Sequence, residues 1–242
     1  MSAVEKGAGS TVVLILALDT SSAAGSAALL RDQDVLERAG DPSRTHGQRL
    51  PSELMALLDQ GHTALRDVDR FAVCVGPGSF TGLRVGIATI QGLALANSRL
   101  VAPVSAFEAI AEQAGGSSVV AVWIDAHRGE VFATLLAPDG RVLEPPTSFG
   151  PRQTLERWKP SLERLPTLRF AGDGAVRYRD EILARLGERA HVDDMAPPLA
   201  GTIARIAAAH PHRAVQPHAL VPLYVRRPDA ELARAARGGK GA

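Results

Sequence analysis

The sequence predicts an α/β fold of two duplicated lobes, and three observations carry that reading. A continuous apolar run, Val12–Asp19, ends in an aspartate, and Val119–Asp125 repeats the pattern in the second half. Neither run alternates apolar with polar residues, as expected of strands buried on both faces. From the first run the elements follow the order β-β-β-α-β-α-β-α, and after the second run the series begins again in looser form.

The elements can be justified in turn. Residues 1–11 read as a flexible leader. Val12–Asp19 is followed by a small polar turn, Thr20–Gly25, then by strands at Ser26–Leu30 and Val35–Ala39. Their links are too short for a crossover, so this meander is antiparallel. In the helix near Gln48–Gln60, Leu50, Leu54, Leu57 and Leu58 form one apolar stripe, and Pro51 sits in the first turn, where proline is tolerated. Phe71–Val75 is an apolar strand leading through a glycine-rich loop to a long helix, Thr81–Asn97. Leu100–Val104 is a strand. Ser105 with Glu108 makes a capping box that opens the next helix, and Gly115 stops it. In the second half, strands are expected at Val119–Asp125, Glu130–Ala137 and Thr167–Ala171. Helices are expected at Arg177–Leu186 and Leu199–Ala209, and Leu220–Val225 is a short extended segment. The expected division is a leader over 1–11, an N-terminal lobe over 12–104, a C-terminal lobe over 105–226 and a disordered Ala/Arg/Gly tail over 227–242.

Composition narrows the function classes. The 242 residues carry a formal net charge of +1, with 45% hydrophobic and 22% charged residues, an ordinary globular balance. With no overall positive field, most contacts to any nucleic acid must come from another molecule. The single cysteine, Cys74, lies in an apolar strand and cannot form an intramolecular disulfide, which suits a reducing, cytoplasmic setting. Val12–Leu18 is short, is ended by Asp19 and follows Glu5, so it reads as a buried strand and not as a signal peptide. No membrane span is expected.

Several motifs have a functional and a plain structural reading. Asp19-Thr20-Ser21-Ser22 after a buried strand can hold a hydrated cation and phosphate oxygens, or can cap its own turn. Gly76-Pro77-Gly78-Ser79-Phe80-Thr81-Gly82 can offer backbone N–H groups to an anion, or can be a turn with Ser79 or Thr81 as helix cap. It is neither a Walker A loop nor a dinucleotide fingerprint. Asp125 to Glu130 and Ala171-Gly172-Asp173-Gly174 read as a second phosphate-facing pair of loops or as ordinary turns. In the helix Thr81–Asn97, Arg84 is the one charged residue, and Ala88, Gly92 and Ala96 form a small-residue row distinct from Gly82 and Gly86. Such a helix needs cover on both sides, from the chain's own C-terminal lobe or from a partner protein. His46 has Leu50 at i+4 in place of a second histidine, so no helical metal pair is present. No Ser-His-Asp set or nucleophile elbow is recognisable.

Five stretches together resemble the TsaB (YeaZ) family: Ile15–Ser22, Arg44–Leu54, Val75–Ala96, Ile124–Leu135 and Pro222–Arg226. The third is the most specific, and Pro138–Pro166 matches only loosely. The resemblance implies the actin-like ATPase fold shared by sugar kinases and heat-shock chaperones. It implies a non-catalytic role in making threonylcarbamoyladenosine beside the anticodon of ANN-decoding tRNAs. The family's catalytic relative, TsaD, carries a His-x-x-x-His metal site that Leu50 interrupts here. Implied partners are TsaD, the ATPase TsaE, and a second copy of the chain when alone, with tRNA reached through the complex. The expected partner interface is His46, Leu50, Leu54, Arg84, Ala88, Gly92 and Ala96. The expected vestigial nucleotide cleft is Asp19, Thr20, Ser21, Asp125, Gly172 and Gly174. No cofactor is required by this reading, beyond weak nucleotide binding in that cleft. The competing readings are an independent metal-dependent ATPase using Asp19, Thr20 and Asp125, and, more remotely, a glycoprotease-type metallopeptidase.

Overall fold

The computed structural model describes residues 13–226. The expected leader (1–11), Val12 and the expected tail (227–242) lie outside the described residues.

Two five-stranded sheets are built to one plan. In the first, β1 (Leu14–Asp19), β2 (Ser26–Arg31) and β3 (Asp34–Ala39) form the antiparallel meander, while β4 (Arg70–Cys74) and β5 (Val101–Val104) add in parallel beside β1. The order is β3-β2-β1-β4-β5. In the second, β6 (Val120–Asp125), β7 (Val131–Leu136) and β8 (Val142–Phe149) repeat the meander, and β9 (Leu168–Ala171) and β10 (Ala190–Val192) repeat the parallel pair. Its order, β8-β7-β6-β9-β10, matches the first strand for strand. This doubled mixed sheet is the two-lobed duplicated plan expected from the sequence, and it places the Asp-terminated strands β1 and β6 at equivalent central positions.

Helices fill three layers. Outside the first sheet lie α1 (His46–Gln60) and α2 (Phe80–Ala96), packed on Leu14, Leu16, Leu18, Phe71 and Val73. Between the sheets lie α3 (Ala106–Ala114) and α8 (Ala200–Ala209), packed on Ile15, Ala17 and Ala28 from one sheet and Val122 and Ile124 from the other. Outside the second sheet lie α4 (Pro151–Arg157), α5 (Lys159–Glu163), α6 (Asp173–Arg177) and α7 (Arg179–Leu186). Trp123 and Trp158 anchor that layer with Leu155, Leu162 and Ile182. Each central strand sends alternate residues to opposite layers, which is why β1 and β6 are apolar up to their terminal aspartates.

The stretch 138–166, where the family pattern is loose, forms β8, α4 and α5. Its strand alternates weakly and carries Pro145 and Pro146, consistent with its place at a sheet edge. The helix expected over Arg177–Leu186 is interrupted at Tyr178. The chain of the expected C-terminal lobe serves both halves, because α8 crosses back to pack on β1, β2 and β4 of the first sheet. Its N-terminus is tied there. Ser26 Oγ accepts the N–H groups of Leu199 (3.2 Å) and Ala200 (2.9 Å), and Glu37 Oε1 accepts that of Gly201 (2.9 Å). Among the described residues no helix is long and apolar enough to cross a membrane.

Candidate functional site

The turn after β1 is held from three sides. Asp19, 3% exposed, accepts the Ser21 N–H through Oδ1 at 2.9 Å, and Ser22 Oγ accepts the Gly25 N–H at 3.0 Å. Burial pushes the Asp19 carboxyl up, against the bonds from Ser21 that lower it. From α1, His46 places Nε2 3.0 Å from the Ser22 carbonyl and Nδ1 2.8 Å from Arg49 Nη2. A guanidinium can only donate, so Nδ1 accepts, Nε2 carries the proton, and the ring is neutral. Burial and the neighbouring Arg49 charge both lower the His46 pKa. Arg49 itself is 1% exposed. It donates to the carbonyls of Ala23 and Ala24 and pairs with Glu53 at 2.6 Å.

The glycine-rich loop closes the third side. A Cβ at Gly78 would stand 2.4 Å from the Ser21 carbonyl oxygen, one at Gly82 2.3 Å from that of Thr20, and one at Gly86 2.1 Å from Thr20 Oγ1. Ser79 donates its N–H to the Ser21 oxygen at 2.7 Å, and its hydroxyl accepts from Gly82 as the α2 N-cap. These glycines therefore serve close backbone approach, with loop and turn seated on one another. Thr20 is fully buried beneath α2, and its hydroxyl has no hydrogen-bond partner among the described residues.

In the second half, Asp125 accepts the His127 N–H at 3.0 Å and pairs with Arg177 at 3.0 Å. Gly172 (φ 103°) passes so close to β6 that a Cβ would lie 2.3 Å from the Trp123 carbonyl oxygen, and one at Gly174 would lie 2.8 Å from the Ile124 carbonyl carbon. Between them Asp173 Oδ1 accepts the N–H groups of Asp125 (3.0 Å) and Gly174 (2.9 Å). Burial pushes its carboxyl up as well.

A cavity of about 900 Å³ lies between the lobes. Asp19, Ser21, Gly172 and Asp173 line it; Thr20, Asp125 and Gly174, expected there, do not. Thr20 points the other way because alternate residues face opposite sides as the chain leaves a strand. Asp125 faces a separate pocket of about 410 Å³ with Phe80, His127 and Tyr224. Gly174 is committed to packing on β6. A nucleoside triphosphate with a divalent cation, the occupant implied by the family resemblance, does not fit this arrangement. The strand-end aspartates face different cavities, and the glycine loops turn their close surfaces to protein. The basic residues lining the cleft are Arg169, paired with Asp193 at 2.7 Å, and His191.

The outer face of α2 is the second candidate surface. Leu83, Ile87, Ile90 and Ala94 face the sheet, whereas Arg84, Ala88, Gly92, Leu95 and Ala96 are exposed. Among the described residues nothing lies within 4 Å of a Cβ placed on Gly92, and Leu95 is 72% exposed. Among the described residues, the C-terminal segment meets α2 at its flank. Gln91 donates to the Pro217 carbonyl at 2.8 Å, Tyr224 stacks on Phe80 at 5.3 Å, and the Arg84 guanidinium lies 3.8 Å over the Phe80 ring. Leu50 and Leu54, expected on the interface, are buried in the lobe's own core, and His46 faces the turn. Arg49 is not singled out by the sequence reading, and Asp173 is noted there only within its glycine loop, outside the expected cleft set. The hint was present in His46, Arg49 and Glu53, polar residues at i, i+3 and i+7 interrupting an apolar helix face.

Comparison with known proteins agrees with this architecture. Residues 40–143, which include α1 and α2, match the family model described as TsaD, tRNA N6-adenosine threonylcarbamoyltransferase. An uncharacterized Mycobacterium tuberculosis protein is 31% identical over 220 residues, covering 90% of this chain and 93% of that one. The tRNA threonylcarbamoyladenosine biosynthesis protein TsaB of Bacillus subtilis is 29% identical over 224 residues, covering 90% and 96%. The solved structure of YeaZ from Pseudomonas aeruginosa superposes with a TM-score of 0.71 at 31% identity, covering 88% of this chain and 99% of that one. Likeness over nearly the full length of both sequence and fold leads to one assignment: the chain belongs to the TsaB (YeaZ) family.

Proposed function

We propose that the chain is the non-catalytic partner subunit of a complex that makes threonylcarbamoyladenosine in tRNA, and that it binds a TsaD-type protein through the outer face of α2. The observation that carries this reading is the row Ala88, Gly92 and Ala96, which no described residue covers. Each residue in the row lacks bulk, so a second helix can approach closely, and exposed Leu95 and Phe80 supply apolar area. The likeness to TsaD over 40–143 supports the choice of partner. Two related lobes can pair their α2 faces about a pseudo-twofold axis, and the same logic gives a homodimer when the chain is alone. TsaE joins the pair, and tRNA is reached mainly through the other subunits, consistent with a net charge of +1.

The non-catalytic part rests on the site. The cleft does not suit a metal–nucleotide complex, and both His46 ring nitrogens are engaged by Ser22 and Arg49. Sedimentation velocity tests the pairing. A mixture with TsaD from the same organism should give a new species at the one-to-one mass, and Gly92→Leu should abolish it while the monomer stays folded. Absence of a mixed species with TsaE and ATP also supplied would overturn the proposal.

A further inference from the structure

The inter-lobe cleft has a chemistry of its own, independent of the partner face. Its walls are largely aliphatic: Ala24, Ile110, Ile124, Ala171 and Leu199 face a cavity of about 900 Å³. Asp19 from the end of β1 and Asp173 from the start of α6 line it from opposite lobes. Neither is in an ion pair among the described residues, whereas the other two acids of the lining are paired, Asp193 with Arg169 at 2.7 Å and Asp194 with Arg179 at 2.7 Å. Arg169 is further held by the Ala114 carbonyl, and His191 is 4.0 Å from Asp193. An anion entering the cleft would therefore meet two carboxyls without gaining an uncommitted cation from the described lining. Asp19 is 97% withdrawn from solvent, since it is 3% exposed, yet it borders the cavity.

We infer that this cleft binds an aliphatic diammonium ion, its ammonium ends on Asp19 and Asp173 and its methylene chain along the apolar walls. The two carboxyls supply acceptors at opposing lobes, and the aliphatic lining accepts CH₂ groups that water solvates poorly. Both carboxyls are pushed up by burial, so an ammonium partner restores the charged form that burial disfavours. The ligand would bridge the halves and hold the cleft closed. A nucleotide, carrying phosphates, is the wrong sign for this lining.

Isothermal titration of the full chain with putrescine, spermidine, butanediol and MgATP tests this. Saturable one-to-one binding of putrescine or spermidine is expected, with no binding of butanediol, which has putrescine's length without its charge. Asp173→Asn keeps an acceptor for the Asp125 and Gly174 N–H groups but removes the charge, and should weaken diamine binding at least about tenfold. Asp19→Asn is the second variant, and circular dichroism establishes that both are folded. The inference is overturned by the absence of saturable diamine binding to the folded protein. Diamine affinity in both variants equal to that of the parent, which would mark loose binding to surface acids, overturns it too, as does binding of MgATP more tightly than either diamine.

Discussion

Arg49 is the residue whose neighbourhood most clearly decides the local structure. Its charge is withdrawn from water and balanced by Glu53, His46 and the Ala23 and Ala24 carbonyls. Removing one member of such a buried set leaves the others uncompensated. Arg49→Met should lower the unfolding free energy by about 3–5 kcal/mol, read from urea melts; a loss under about 1 kcal/mol would mean that solvent reaches the pocket. His46 adds a pH dependence whose sign is fixed. Its folded pKa lies below its ordinary 6.5, so the unfolded chain binds more protons as pH falls through 6.5, and stability is lost on the acid side. Asp19 and Asp173, with raised values, work in the opposite sense, so the test is a difference. His46→Gln should show a smaller loss of melting temperature than the parent between pH 7.5 and about 5.5.

At the scale of the element, α2 carries two rows of small residues with opposite roles. Gly82 and Gly86 are buried against the turn after β1, and Gly92 faces open solvent. The same substitution should therefore have opposite signs in the two rows. Gly86→Ala drives a methyl to 2.1 Å from Thr20 Oγ1 and should cost about 1–3 kcal/mol through overpacking. Gly92→Ala should stabilise the chain by about 0.5–1 kcal/mol through helix propensity alone. Chemical denaturation of both variants checks the pair; stabilisation by both would mean that α2 does not seat on the turn as described. The helix outline, its Ser79 cap and the apolar stripe of α1 were legible from spacing. Which row faced inward was not, because alanine and glycine carry too little hydrophobic contrast to orient a helix.

Across the whole molecule, α8 joins the halves. It comes from the second half of the chain, covers the inner face of the first sheet and is held at its N-terminus by Ser26 and Glu37. Ser26→Ala with Glu37→Gln should weaken that attachment by about 1 kcal/mol or more. Hydrogen exchange of α8 should rise ahead of that of β1; unchanged exchange would mean that apolar packing alone holds the helix. A chain stopped at Pro198 would leave Ile15, Ala17 and Ala28 without cover from α8 and should fail to give a cooperative melt.

The sequence by itself determined the β-β-β-α-β-α-β-α order of the first half, a looser repeat opened by the second Asp-terminated strand, and the family, whereas β8, β10 and the helices α4 to α6 emerged only in the structure. Those features are written in local periodicity, in turn chemistry and in the extended match over Val75–Ala96, all readable along the chain. Tertiary structure alone decided which polar groups share a site. Asp19 and Asp173 line one cleft while Asp125 turns to another pocket, and Thr20 is sealed beneath α2. It also decided that the glycines of the loop make room for backbone and that Leu50 and Leu54 are core. The reason is physical: spacing along a strand or helix sets the direction of a side chain within its element, but its neighbours depend on how separate elements pack, and that is set by long-range contacts.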